Sequence, residues 1–295
     1  MQEIKERVES FDNTALFVRF NIPDTGAEGA KGIVLLNHGY ADHSGRYAHA
    51  VKVLCDNNLI VISFDLRGNG HSGPSLGYCE SFQDILLDNV FLMNLAQERF
   101  GKKIVGLVGH SFGGLIITYT AALLGRKSPP IFLSSPSYKF RKEIHRWQLL
   151  ILKYSSKIFP KFMIPSGVIA QYRSNNPENN NTQHTDPLIF KKVAMCFAYF
   201  FINLVSKSEQ TRKVIRTIKT RITVFVGQDD SLCSTSVTRA FCREFDRDQL
   251  RFHIVENGGH EIFNENNGSQ IVALHGLKQW SDSLFPISKP LTQAV

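Results

Sequence analysis

Five short, nearly unbroken apolar runs constrain this chain more than any other feature. They are Gly32–Leu36, Leu59–Phe64, Ile104–Val108, Pro130–Ser134 and Ile222–Val226. A more polar run, Gln249–Val255, reads as one further strand. Strands that are apolar on both sides must be buried on both sides. Stretches of helical period fill the gaps, at about 47–57, 81–100 and 114–124, then 235–245 and 270–284. Strands alternating with helices predict an α/β fold, a mostly parallel sheet covered on both faces. Only the start differs: residues 4–9 and 14–22 read as a hairpin turning at Asp12-Asn13, and Pro23–Lys31 as a turn.

The alternation stops between Ser134 and Ile222. Ile144, Trp147, Leu150, Ile151, Tyr154 and Ile158 recur at three- and four-residue spacing, and Phe159, Phe162 and Met163 extend the apolar content. This predicts a mainly helical cap, residues 135–221, inserted into a core made of 1–134 and 222–295. Packing onto the sheet accounts for part of the stripe, but Leu149–Leu152 is apolar on every side of a helix. Asn175–Asn181 reads as an exposed loop. The longest mostly apolar run here, Val193–Val205, is well short of the ~20 residues that span a bilayer.

Ligands in such sheets bind beyond the carboxyl ends of the strands. One of those ends carries Gly109-His110-Ser111-Phe112-Gly113, a serine between glycines on a strand-to-helix corner. That is the pattern of a nucleophile elbow, whose sharp turn thrusts the hydroxyl above the sheet and tolerates only small residues two positions away. The helix behind offers N–H groups to developing negative charge. A serine hydroxyl needs a base, and the base needs an orienting acid. His260, in Asn257-Gly258-Gly259-His260-Glu261 after the last strand, is the candidate base. Asp230 is the candidate acid and Asp229 the alternative, both following Val226-Gly227-Gln228. The order Ser, Asp, His fits an α/β-hydrolase. Backbone N–H groups of Phe112 and Tyr40 are the expected oxyanion hole, with both side chains lining an acyl pocket. Asp65 and Arg67 read as loop structure, a buried ion pair or a turn cap. His38, His71 and His110 read as shaping the backbone near the site.

The net charge is +8 but unevenly spread. Ser137–Pro165 holds seven basic residues and one acidic, and Ser206–Arg221 six and one. In the first stretch the charge is interleaved with large apolar side chains, which suits an anionic membrane surface better than nucleic acid. The second reads as a solvated face. Five cysteines without paired spacing suggest reduced thiols, and Met1–Arg7 lacks an apolar leader, so a cytoplasmic location with peripheral membrane contact is expected.

These motifs, with Asn37-His38-Gly39, Asp42–Tyr47, Phe64–Ser72, Thr185–Leu188 and Asp230–Cys233, make the chain resemble the monoglyceride lipase/lysophospholipase family of serine α/β-hydrolases over nearly its whole length. The resemblance implies a cofactor-free, metal-free carboxylester hydrolase acting on lipids with one acyl chain, and an apolar lid that touches membrane. It implies that Trp147, Leu150, Ile151, Tyr154, Phe159, Phe162 and Met163 belong to that lid or to the acyl pocket. Phe112 stands where the family commonly has Met, and Tyr40 where it commonly has a small residue; both narrow the pocket. The basic lid favours lysophospholipids or anionic membranes over neutral glycerides. Short-chain carboxylesterase, thioesterase and non-catalytic ligand-binding protein are the alternatives.

Overall fold

A computed structural model describes residues 1–141, 144–167 and 174–285. Lys142 and Glu143 of the first basic stretch lie outside the described residues. The sheet runs in the order β1 (Gln2–Glu9), β2 (Ala15–Ile22), β4 (Leu59–Phe64), β3 (Gly32–Asn37), β5 (Ile104–His110), β6 (Ile131–Ser134), β9 (Ile222–Gly227), β10 (Leu250–Val255). The hairpin β1–β2 is antiparallel, as is the β2–β4 pair, and every pairing from β4 onward is parallel.

The parallel strands are apolar throughout because each face has its own core. Side chains alternate across a strand with period two. Leu35, Ile62, Leu107, Leu133 and Val224 enter one cluster, while Val34, Leu36, Val61, Val108, Phe132 and Phe225 enter the other. The first face is covered by α3 (Phe82–Phe100), α4 (Phe112–Leu124) and α9 (Thr235–Cys242), which contribute Leu92, Leu115, Ile116 and Phe241. The second is covered by α2 (Ala48–Asp56) and α10 (Gly268–Asp282), through Ala50, Leu54, Leu277 and Trp280. β1 alternates between exposed and half-buried residues, as an edge strand with one wet face does.

Between β6 and β9 lie α5 (Arg146–Ile158), the short antiparallel pair β7 (Met163–Pro165) and β8 (Lys192–Ala194), α6 (Pro177–Thr185), α7 (Met195–Ser206) and α8 (Ser208–Thr217). One expectation changes here. Asn175–Asn181 is not a loop: Asn176 caps α6 by accepting from Glu178 N (3.0 Å), and Pro177 takes the first turn, where its missing N–H costs nothing. The apolar run 193–205 divides into β8 and α7, whose Phe197 and Phe201 are buried. In addition, the turn at 23–31 contains a single helical turn, α1 (Gly26–Gly29). Among the described residues no helix is long and apolar enough to cross a membrane.

Two buried carboxylates organise the loop after β4. Asp65 accepts from the N–H groups of Ser44 and His71, both at 2.8 Å. Arg67 turns away from it and pairs with buried Asp88 (2.7 Å) and with Asp12 (2.6 Å), whose carboxyl it holds down at about 2. Asp65 is therefore a turn cap and Arg67 an ion-pair anchor; neither is among the hydrogen-bond partners of Ser111.

Candidate active site

β5 ends at His110 and α4 begins at Phe112, so one residue, Ser111, makes the whole corner. Its backbone sits at φ 53°, ψ −116°, a conformation that costs an L-residue about 1–3 kcal/mol. The corner closes because its flanks are glycine. A Cβ on Gly109 would lie 2.4 Å from the carbonyl oxygen of Gly113, and one on Gly113 would lie 2.3 Å from that of Asn37.

The loops after β9 and β10 reach the same point. His260 Nδ1 lies 2.8 Å from Asp230 Oδ2, and His260 Nε2 lies 2.8 Å from Ser111 Oγ. A carboxylate only accepts, so Nδ1 carries the proton and donates to Asp230, which leaves Nε2 to accept from the Ser111 hydroxyl. Asp230 is buried, and its other oxygen accepts from the N–H groups of Leu232 (2.9 Å) and Cys233 (2.8 Å). Asp229, the alternative acid, is exposed and points its backbone N–H at Gly258 O.

The loop after β3 lies beside the serine. A Cβ on Gly39 would be 3.4 Å from Ser111 Cβ. Leu66 N donates to His38 Nε2 (2.8 Å), so the other ring nitrogen donates to Gly39 O (2.8 Å). Tyr47 Oη accepts from Gly39 N and donates to Asp42. His110 backs the corner with its Nδ1 3.0 Å from Ser134 Oγ, and burial pushes its pKa down to about 3. Burial also lowers His38. Both histidines are thus neutral scaffolding.

A cavity of about 50 Å³ opens onto Ser111 and His260, lined on its apolar side by Tyr40, Phe140, Phe201 and Leu232. Of the residues expected at the acyl pocket or in the lid, Tyr40 lines this cavity and the others do not. Phe112 points its side chain down into the core and is fully buried. Trp147, Leu150, Ile151, Tyr154, Phe159 and Phe162 are each more than half exposed, and Met163 is exposed too; none lines the cavity. All but Met163, the first residue of β7, stand on the outer face of α5 and the turn after it, because α7 supplies the aromatic layer beneath. Phe140 and Phe201 carried no sequence signal, since nothing in their spacing separates them from ordinary core residues.

The polar side of the cavity is tied to the inserted segment. Arg46 donates from Nη2 to Glu261 (2.6 Å) and Asn179 (2.8 Å), and Nη1 reaches Asp42 (3.4 Å). Gly45 N donates to His43 Nδ1, so His43 donates from Nε2 to Asp186 (2.8 Å). The adjacency of Glu261 to the candidate base was visible in the sequence; its pairing with Arg46, 215 positions away, was not. Among the described residues, Asp230, Cys233 and His260 form the one cluster with metal-ligand spacing. Here the facing atoms of Asp230 and His260 bond each other, His260 also bonds Ser111, and Cys233 Sγ lies 3.8 Å from Ser137 Oγ, with burial raising its thiol well above its ordinary pKa.

Comparison with known proteins gives the family of the chain. Residues 28–267 match the family model described as serine aminopeptidase, S33. The monoacylglycerol lipase of Mycolicibacterium smegmatis is 25% identical over 260 residues, covering 88% of this chain and 89% of that one. The human monoglyceride lipase is 24% identical over 271 residues, covering 91% and 87%. The solved structure of a soluble variant of the Saccharomyces cerevisiae monoglyceride lipase, in complex with a substrate analogue, superposes with a TM-score of 0.83 at 19% identity, over 98% of this chain and 97% of that one. With the family model covering most of its length, the chain belongs to this family of α/β-hydrolases, in the branch that includes the monoglyceride lipases.

Proposed function

We propose that this carboxylic ester hydrolase cleaves lipids carrying a single acyl chain, a monoacylglycerol or a lysophospholipid, through an acyl-enzyme on Ser111. The observation that carries the mechanism is the pair of 2.8 Å contacts running Ser111–His260–Asp230 at the mouth of a buried cavity. His260 takes the hydroxyl proton as Ser111 attacks the ester carbonyl, and Asp230 holds the imidazole and the imidazolium it becomes. The amides of Phe112, first in α4, and of Tyr40, on the loop packed against Ser111, receive the oxyanion. His260 then gives its proton to the departing alcohol and activates the water that releases the fatty acid.

The lipid class is supported by the names of the relatives and by the surface. Trp147, Leu150, Ile151, Tyr154 and Ile158 crowd one face of α5 in full view of solvent, with Arg146 and Lys157 exposed beside them. A patch this apolar and this basic suits the interface of an anionic bilayer. Residues 135–221 thus act as a cap whose outer face meets the membrane and whose inner face, through Phe201, closes the cavity. An aminopeptidase needs a carboxylate available for the substrate ammonium; the two at this cavity, Asp42 and Glu261, both reach Arg46.

The test is release of fatty acid from a monoacylglycerol and from a lysophosphatidylcholine, side by side, by wild type and Ser111→Ala. Turnover of either substrate that vanishes in the variant supports the reading. Absence of turnover on both by folded wild-type protein sinks it in favour of a short-chain ester or thioester.

A further inference from the structure

Among the described residues, Ser111 Oγ has two side-chain hydrogen-bond partners. Besides His260, it lies 2.9 Å from Ser137 Oγ. Ser137 follows β6, the strand beside β5, and its N–H donates to Ser111 O (3.0 Å), so the backbone itself holds the two hydroxyls together. Ser137 is 1% exposed and lines the cavity.

The direction of the second bond follows from the first. Ser111 has one hydroxyl proton and gives it to His260 Nε2, the ring nitrogen without a hydrogen. Ser111 Oγ can then only accept from Ser137, which donates. Cys233 Sγ stands 3.8 Å behind Ser137 Oγ and donates to it weakly. Because Cys233 N also bonds Asp230, the contacts close into a ring: Ser111, His260, Asp230, Cys233, Ser137 and back to Ser111.

We propose that Ser137 is a further catalytic residue, a hydrogen-bond donor to the nucleophile oxygen that acts chiefly when the acyl-enzyme breaks down. This rests on Ser111 being the nucleophile. Only interactions that strengthen between ground state and transition state accelerate a step. In the free enzyme Ser137 already bonds the Ser111 hydroxyl, so acylation starts with that bond made and gains little from it. In the acyl-enzyme Oγ is the alkyl oxygen of an ester, a poor acceptor. Water adds to the carbonyl, passing a proton to His260. The C–Oγ bond then breaks, its electron pair returns to Oγ, and His260 gives that oxygen its proton. Charge gathers on Oγ in this step alone from a weakly bonded start, and the Ser137 donor meets it there. Ser137 keeps its own proton throughout.

The test separates the two half-reactions in wild type, Ser137→Ala and Ser137→Thr. Phosphonylation of Ser111 by a fluorophosphonate reports attack by the nucleophile, and intact-mass spectra of enzyme quenched during p-nitrophenyl butyrate turnover report the standing acyl-enzyme. Ser137→Ala is expected to be phosphonylated within about twofold of the wild-type rate. Its kcat is expected to fall about tenfold, the worth of one neutral hydrogen bond, with acyl-enzyme accumulating. Ser137→Thr, which keeps the hydroxyl, should restore kcat. An unchanged kcat in Ser137→Ala, or phosphonylation and kcat falling together as from a misplaced Ser111, would overturn the proposal. Wild-type protein that is neither phosphonylated nor active would instead remove the nucleophile reading itself, and the role of Ser137 with it.

Discussion

Tyr40 stacks face to face on Phe201, ring centroids 4.2 Å apart and planes 15° from parallel. The first belongs to the loop after β3, the second to α7 of the inserted segment, and both line the cavity at Ser111. Phe190 and Phe197 meet the Tyr40 ring edge-on at 5.1 and 5.5 Å. The inserted segment is thus packed onto the core through an aromatic cluster beside the cavity at Ser111.

Removing that ring opens the entrance. Tyr40→Ala is expected to shift the acyl-length optimum of hydrolysis toward longer chains, at a cost of about 2 kcal/mol in stability from the lost aromatic contacts. A panel of p-nitrophenyl esters of increasing length, with a urea titration, checks both. An unchanged length profile would show that Tyr40 does not set the slot.

Ser111→Ala is expected to lower ester hydrolysis by at least about 10³-fold without moving the thermal midpoint by more than a few degrees, because the methyl side chain loses only the two hydroxyl contacts. Initial rates and circular dichroism melts on the same samples decide it.

Asp230→Asn and Asp229→Asn differ in burial and in partner. The first exchanges the acceptor of His260 Nδ1–H for an amide able to present a donor, and about a 10³–10⁴-fold loss in kcat is expected. The second alters an exposed carboxylate and is expected to leave kcat within about twofold. A loss confined to Asp229→Asn would move the acid there.

His110 makes the fold acid-sensitive. Its folded pKa of about 3 lies below its ordinary 6.5, so between those values the unfolded chain binds the extra proton and stability falls as pH falls. From pH 7 to pH 5 this one group removes about 2 kcal/mol, and His110→Asn should remove that part of the slope. Urea midpoints at the two pH values measure it.

Trp147→Ser combined with Ile151→Ser takes two exposed anchors off α5. Binding to vesicles containing phosphatidylserine should drop by about tenfold or more, and should weaken with salt in wild type, while hydrolysis of a soluble ester stays unchanged. Co-sedimentation at two ionic strengths gives the answer.

The layered fold was readable because its strands announce themselves: Leu59–Phe64 or Ile222–Gly227 is apolar on both faces only where both faces are covered. The meeting of Ser111, Asp230 and His260 followed from their places after strand ends, a property of the sheet rather than of any local pattern. Side-chain direction was harder. Phe112 was expected in the pocket and points into the core, because the residue after the serine already belongs to α4 and its side chain follows the helix face. Asn175–Asn181 looked like a loop on polarity alone; its order comes from a cap and from Asn179 bonding Arg46 and Glu261, partners far away in the chain. Ser137 had no signal of its own, since its importance comes from the neighbouring strand.

The inserted segment leaves the sheet at the end of β6 and re-enters at β9, and those two strands are direct neighbours, with Ile131 opposite Ile222. Closing a loop costs entropy only as the logarithm of its length, so about 90 residues here cost only about 1.5 kcal/mol more than a 15-residue crossover. The seam at which the segment joins the core is therefore nearly indifferent to what is spliced into it. Selection can lengthen, shorten or rewrite the inserted stretch while the eight-stranded frame and the serine corner, encoded outside it, stay as they are.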